Sequence, residues 1–222
     1  MIYRFLSHLL TEKLPAYGGG GHSLDMAKTG SVSGEGSANI YRFSMGSHWG
    51  THVDAPNHFF ENGRKAADYP PEFWLFRAPQ VIDVTLAPSE ILNSGKWLES
   101  IDGSKDILLL KSGWKRHRDK ELYCKENPGI HPDVGMYIRK KLPNIRAVGI
   151  DWISVSPFCA RPIGRQAHKA FLDPEGENNP VLIIEDMDLS CNLKGLFEVT
   201  VSPLRVEGAD SAPCTVIGGF DD

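Results

Sequence analysis

The chain has 222 residues, of which 41% are hydrophobic and 23% charged, with a formal net charge of −4. That length can bury a substantial core without disulfide or metal staples, and the balance is ordinary for a globular protein. A nucleic-acid surface is excluded because phosphate binding needs clustered Lys and Arg, and the nearest basic run, Lys115-Arg116-His117-Arg118, is answered by Asp119 and Glu121.

The N-terminus, Met1-Ile2-Tyr3-Arg4-Phe5-Leu6, has no apolar core of signal-peptide length. The longest aliphatic run, Ile107-Leu108-Leu109-Leu110, is far too short to span a membrane. The four cysteines, Cys124, Cys159, Cys191 and Cys214, are scattered with no C-x-x-C pair, which fits free thiols in a reducing compartment. A cytoplasmic protein acting on a small molecule, with no nucleic-acid or membrane partner, is the expectation.

In chain order, residues 18–36 are rich in Gly and Ser and read as a mobile surface loop near a site entrance. They lack both the Lys-Ser/Thr of a P-loop and a G-x-G-x-x-G register. Strands are expected at 40–45, 81–86, 107–111, 147–151, 181–185, 197–201 and 215–218. Most of these are β-branched and apolar on both sides, as buried strands tend to be. Ser89 offers an N-cap for a short helical stretch over 89–92, which Gly95 interrupts. Helices are expected over 132–142, where Pro132 suits a first turn, and over 164–172. The pattern is mixed α/β. No repeat or linker divides the chain, so residues 1–222 read as one domain.

The most informative segment is Ser47-His48-Trp49-Gly50-Thr51-His52-Val53-Asp54-Ala55-Pro56-Asn57-His58-Phe59. It places three of the eight histidines, with an aspartate, between positions 48 and 58. On a helix Asp54 would point about 240° away from His48 at 3.6 residues per turn. Along an extended strand His48 and His52 would stand roughly 13 Å apart at 3.3 Å per residue. One ion holding both nitrogens at about 2.0–2.1 Å therefore requires a bend, and Gly50 permits it. The expectation is a strand end curling into a ligand loop, with Pro56 stiffening its exit. An N/N/O set from His48, His52 and Asp54 leaves coordination positions open, as catalytic sites require. Zinc suits these donors, and the carboxylate admits manganese. The competing structural reading is a row of histidines hydrogen-bonded on a polar strand face.

The pattern H-x-G-T-H-x-D-x-P-x-H-F, formed by His48, Gly50, Thr51, His52, Asp54, Pro56, His58 and Phe59, resembles the signature of the cyclase-like metal-dependent hydrolases. That family includes bacterial kynurenine formamidase and isatin hydrolase. The order downstream is similar too, with Gly149-Ile150-Asp151, Ser154-Val155-Ser156-Pro157, a helical His168, a strand closing with Glu185, and a last hairpin from Ser202 through Cys214. The resemblance covers most of the chain from about Tyr41 onward. It implies an α/β fold of mixed β-sheets in a barrel-like, swivelling β/β/α arrangement with peripheral helices.

The resemblance further implies His48, His52 and Asp54 as metal ligands and His58 as the acid/base. His168 and Glu185 match the residues that complete a second site in two-metal members, where Asp54 would bridge. One or two ions per chain, zinc first and manganese second, and a homodimer or homotetramer are likewise implied. The implied activity is hydrolysis of a non-peptide C–N bond in an amide, either an N-formyl arylamine such as N-formylkynurenine or a cyclic amide. The alternatives are a metal-dependent lyase or cyclase acting by dehydration, and a non-catalytic binding protein whose metal pins a loop.

Three departures stand out. Pro15-Ala16-Tyr17-Gly18-Gly19 replaces the family's aromatic-Pro-Gly-Asp turn, Ser156 stands where the family carries an acid, and residues 173–180 resemble an insertion between His168 and Glu185. Trp49, Phe59, Phe60, Phe73 and Trp74, with Tyr17 and Phe158 further off in sequence, are candidate walls for a planar substrate and equally good core residues.

Overall fold

The computed structural model describes residues 1–12, 15–19, 24–34 and 36–221. The early strands are β1 (Ile2–Phe5), β2 (Asp25–Gly30), β3 (Ile40–Ser44), β4 (His52–Asp54), β5 (Leu75–Phe76), β6 (Pro79–Asp83), β7 (Ile91–Leu92) and β8 (Ile107–Lys111). The later elements are α1 (Glu121–Lys125), β9 (Gly129–Ile130), α2 (Pro132–Lys141), β10 (Ala147–Ile150), α3 (Arg161–Leu172), β11 (Leu182–Glu185), β12 (Leu196–Pro203) and β13 (Ser211–Phe220).

A nine-stranded mixed sheet runs in the order β5-β12-β13-β4-β11-β10-β8-β6, with β1 added beside β13. The half formed by β6, β8, β10 and β11 is parallel. From β11 through β4, β13, β12 and β5 the pairing is antiparallel. Strands β12 and β6 come into contact, so the sheet curls into the barrel-like form that the resemblance implies.

The parallel half follows from near-continuous apolar strands, which such sheets bury on both faces. Alternation divides their side chains between two cores. Leu108, Leu110, Val148, Ile150 and Ile183 face one core together with Val134, Ile138, Phe171 and Leu172 of α2 and α3. Ile107, Leu109, Ala147, Leu182 and Ile184 face the other, where Val53, Phe76, Val199 and Val216 meet them. Pro79 opens β6 at the sheet's edge, where its missing N–H costs no ladder bond.

Three expectations are corrected. Residues 89–92 form no helical turn. Ser89 sits at φ 60°, the Glu90 carboxylate caps Ala87 N–H, and β7 pairs in parallel with β9. The described part of 18–36 is not a loose loop, because β2 pairs with β3 as an antiparallel hairpin. The loop reading at Gly20–Ser23 and Glu35 lies outside the described residues. Nor is β3 a buried strand, since Ile40, Tyr41 and Phe43 are each more than half exposed. Among the described residues no helix is long and apolar enough to cross a membrane.

One contact ties the helical layer to the turn at residues 154–156. A Cβ at Gly164, in the first turns of α3, would overlap the Oγ and Cα atoms of Ser156. Gly164→Ala is expected to cost about 1–3 kcal/mol, the usual range for overpacking a tight contact. The check is the denaturant midpoint at unchanged slope; an unmoved midpoint would show that helix and turn can separate freely.

Candidate metal centre

The sheet's mixed pairing builds the site. Strand β4 lies between β11 and β13, with His52 opposite Glu185 and Pro213, and Asp54 opposite Ile183 and Ser211. His52 and Asp54, two residues apart, share a face, and Glu185 is the direct cross-strand neighbour of His52 on that face. The bend expected at Gly50 is present, with φ 65°, and it folds His48 back over β4. The bend precedes a short ligand-bearing strand, so His52 and Asp54 lie on regular sheet instead of in the loop.

Pro56 begins a one-turn 3-10 helix that carries His58. The Asn57 amide donates to the carbonyls of Phe60 and Glu61 and closes that turn. His168 reaches the cluster from α3, and its ring stacks on Phe59 at 4.8 Å between centroids. The site thus brings together all six residues that the sequence marks.

The two buried imidazoles are held in one tautomer. His52 Nδ1–H donates to Gly50 C=O at 2.8 Å, and His168 Nδ1–H donates to Gly164 C=O at 2.9 Å. Each therefore turns Nε2 toward the site, the orientation a metal-ligating histidine needs. Ser154 Oγ and Val155 N–H both donate to Glu185 Oε1, at 3.0 and 2.7 Å, and so fix that carboxylate.

Asp54 is fully buried, and neither of its oxygens has a partner of hydrogen-bonding geometry. His48 Nδ1 lies 2.9 Å from Asp54 Oδ1 but at no hydrogen-bonding angle. His52 Nε2 is 3.5 Å from both Asp54 and Glu185, and His168 Nε2 is also 3.5 Å from both. Donor atoms that aim at a common point rather than at one another fit a divalent cation.

Among the described residues two such groups share Asp54: His48, Asp54 and His58, and His52, Asp54 and Glu185. Within each the donor atoms lie within 4.8 Å of one another. His168, equidistant from Asp54 and Glu185, falls beside the second group. The sequence grouped His48 with His52; their ring centroids lie 5.0 Å apart, and both approach Asp54 Oδ1, His48 Nδ1 at 2.9 Å and His52 Nε2 at 3.5 Å.

Asp210, at the start of β13, is the residue that sequence reasoning missed. Its Oδ2 accepts from His48 Nε2 at 3.0 Å and from His58 Nδ1 at 2.8 Å, and Ser47 and Ser211 donate to Oδ1. The available signal was an isolated acid among small residues, Gly208-Ala209-Asp210-Ser211-Ala212.

Burial alone would lower the pKa of His48, but Asp54 and Asp210 push it up to about 10. For His168 burial again opposes the shift, and Asp54 and Glu185 raise the value to about 10. Burial would raise Asp54, yet His48, His168 and His52 hold it well below the ordinary carboxylate range. Hydrogen bonds from His48 and His58 lower Asp210 in the same way. Cys214, buried and near Asp54, has its thiol pushed upward, which removes it as a thiolate nucleophile.

The cavity over this cluster has a volume of about 350 Å³, and Tyr17, Phe59, Ile153, Ser156, Arg161 and Arg165 are among its walls. Of the candidate aromatic walls, Tyr17 and Phe59 line it, and Phe158 meets the Tyr17 ring edge-on at 5.5 Å. Trp49 and Trp74 are buried in the core, and Phe60 and Phe73 pack against it.

The family model for "Putative cyclase" matches residues 5–157, more than half of the chain. The chain belongs to this cyclase family. Kynurenine formamidase of Bacillus cereus is 29% identical over 185 residues, covering 82% of this chain and 80% of that protein. Kynurenine formamidase of Geobacillus thermodenitrificans is 25% identical over 180 residues, 80% of this chain and 78% of the relative. Isatin hydrolase A from Ralstonia solanacearum superposes with a TM-score of 0.77 at 16% identity, over 98% of this chain and 91% of that one. A structure described as a potential metal-dependent hydrolase with cyclase activity gives 0.72 at 21% identity, over 100% and 98%. These structural likenesses establish the shared barrel-like fold.

A metal-free cluster is held together by protonated His48 and His168 against carboxylates, and an ion must displace those protons. Titrating zinc or manganese into metal-free protein near neutral pH is expected to release protons, read by calorimetry in buffers of different ionisation enthalpy. Because both histidines are raised in the folded state from 6.5 to about 10, their contribution to metal-free stability is full below pH 6.5. It is lost as pH rises through about 10, so the metal-free melting temperature should fall across that window. A flat profile with no proton release would contradict the charge assignment.

Proposed function

We propose that the protein is a metal-dependent hydrolase that cleaves a non-peptide C–N bond of an amide, an N-formyl arylamine or a cyclic amide. The observation that carries this reading is the convergence of the His52, Asp54, Glu185 and His168 donor atoms beneath an open cavity, without hydrogen bonds between them. The names of the relatives, kynurenine formamidase and isatin hydrolase, support the bond type.

His52, Asp54, Glu185 and His168 would hold one divalent ion, and His48, with Nδ1 2.9 Å from Asp54, would offer a further ligand beside it. Imidazole and carboxylate donors suit zinc first and manganese second. When bound, the ion supplies Lewis acidity, which polarises a carbonyl and acidifies water toward neutrality. His58, steadied through Nδ1 by Asp210, keeps Nε2 for delivering a proton to the departing nitrogen. Asp210 thereby orients an imidazole as the aspartate of a Ser-His-Asp triad does. Tyr17 and Phe59 bind the flat body of the substrate.

The active unit is a single domain of residues 1–222 in a reducing cytoplasm, in keeping with four unpaired cysteines. It works as a homodimer. The β2–β3 hairpin exposes Met26, Ile40, Tyr41 and Phe43. Beside it lies an apolar groove of about 780 Å³ that includes Phe5, Leu9 and Leu204. A second copy covers these surfaces. Tyr41→Glu with Phe43→Glu should leave a monomer by sedimentation; an unchanged wild-type monomer would refute the assembly.

Chelation is expected to abolish hydrolysis of an N-formyl arylamine, and zinc or manganese to restore it. One solvent oxygen should enter the formate product when turnover is run in ¹⁸O-labelled water. Product without label would transfer the reading to dehydration chemistry. His58→Ala should retain bound metal while losing about 10²–10⁴-fold in rate, the span of general acid–base catalysis; full activity would remove His58 from the mechanism.

A further inference from the structure

We propose that Arg161 and Arg165 form a cationic row that selects amides carrying a carboxylate a few bonds from the scissile group. The selectivity rests on the hydrolase reading above. Both arginines line the cavity over the histidine cluster. At 100° per residue, Arg161, Arg165 and His168 fall within an arc of about 60° on α3. With a rise of 1.5 Å per residue, Arg165 stands about 5 Å and Arg161 about 10 Å outward from His168 along the helix axis. The row therefore leads from the ligand cluster toward the cavity mouth.

These two exposed arginines differ from those that reach into the fold. Arg118 is paired with Asp186 at 2.6 Å, Arg139 donates through its Nη atoms to the carbonyls of Ala170, Asp173 and Asn178, and Arg146 bonds Asp106. Arg165 makes no hydrogen bond, ion pair or ring contact among the described residues, and Arg161 has only aromatic neighbours, Phe158 at 4.1 Å and Tyr17 at 6.0 Å. The cavity's own carboxylates are already engaged, because Asp54 and Glu185 face histidines and Asp186 holds Arg118 and Tyr123.

A guanidinium laid against aromatic planes keeps its N–H edge free for bidentate capture of a planar carboxylate. The N-terminus of twelve-residue α3, which has no side-chain cap, adds its positive end in the same place. A dianionic phosphate would meet the acidic floor at Asp54 and Glu185, whereas a single carboxylate held at the rim would not. Tyr17, between this rim and the floor, suits an aromatic ring joining the two ends of the substrate.

The test pairs ligands that differ only in charge. Calorimetry on metal-loaded protein should show anthranilate bound more tightly than anthranilamide, with Arg165→Gln cutting that preference about tenfold, equivalent to about 1.4 kcal/mol. In kinetics, the ratio of kcat/KM for N-formylanthranilate over formanilide should fall by a similar factor, chiefly through KM, with Arg165→Lys recovering part of it. Arg161→Gln should act in the same direction, and the double variant should be the weakest at discriminating. Hydrolysis of both amides with an unaltered ratio in the double variant would overturn the cationic row and leave the hydrolase reading standing. Charge-selective binding that depends on Arg165, without hydrolysis of either amide, would support the row and overturn the hydrolase reading.

Discussion

A carboxylate buried without solvent and without a hydrogen bond of proper geometry is the constraint on which this molecule turns. Asp54 is wholly inaccessible and sits among the imidazoles of His48, His52 and His168. Stripping a carboxylate of water costs several kcal/mol unless positive charge replaces the lost hydration. Protons on the neighbouring histidines supply that charge when no ion is present, and a cation supplies it better. The preference of the site for a metal is thus a consequence of where the sheet puts one aspartate.

The sheet can put it there because β4 is inserted between a strand from the parallel half and one from the antiparallel half. Glu185 arrives at the carboxyl end of parallel β11, the end at which open α/β sheets build their crevices. Asp210 and Ser211 arrive at the beginning of β13 from the other side. The short loop of residues 154–156 steadies Glu185 and also packs against Gly164 of α3, the helix that carries His168. Helix, turn and strand are therefore mutually braced, and the arginines on α3 inherit the same placement.

What was readable in advance depended on whether a feature was local. His48, His52, Asp54 and His58 lie within one short segment, and the need for a bend at Gly50 followed from distance arithmetic alone. His168 and Glu185 are single residues far along the chain that became legible only through the family's order of motifs. Asp210 offered only an isolated acid among small residues, because its importance lies in two imidazoles more than 150 residues away in sequence. The alternation of the buried parallel strands was plain. Strand β3 was expected, whereas its partner β2 was hidden because Gly and Ser dominate the segment around it, and the hairpin's apolar side chains face outward, where burial cannot explain them. Ser89 shows a further limit, since a good N-cap residue in a left-handed turn serves strand pairing instead.

Strand β4 is only three residues long, yet it is locked by ladders on both edges. Side chains alternate across a sheet, so a slip of one residue would present Val53 to the cavity and drive His52 and Asp54 into the apolar core. A slip removes both β4 ligands together, while Glu185 on β11 and His168 on α3 stay where they are. The pleat therefore couples the two β4 ligands: a molecule presents both His52 and Asp54 to the cavity or neither. A slipped sheet thus costs a molecule two ligands at once, so a misregistered preparation would contain fewer fully liganded sites instead of uniformly weaker ones.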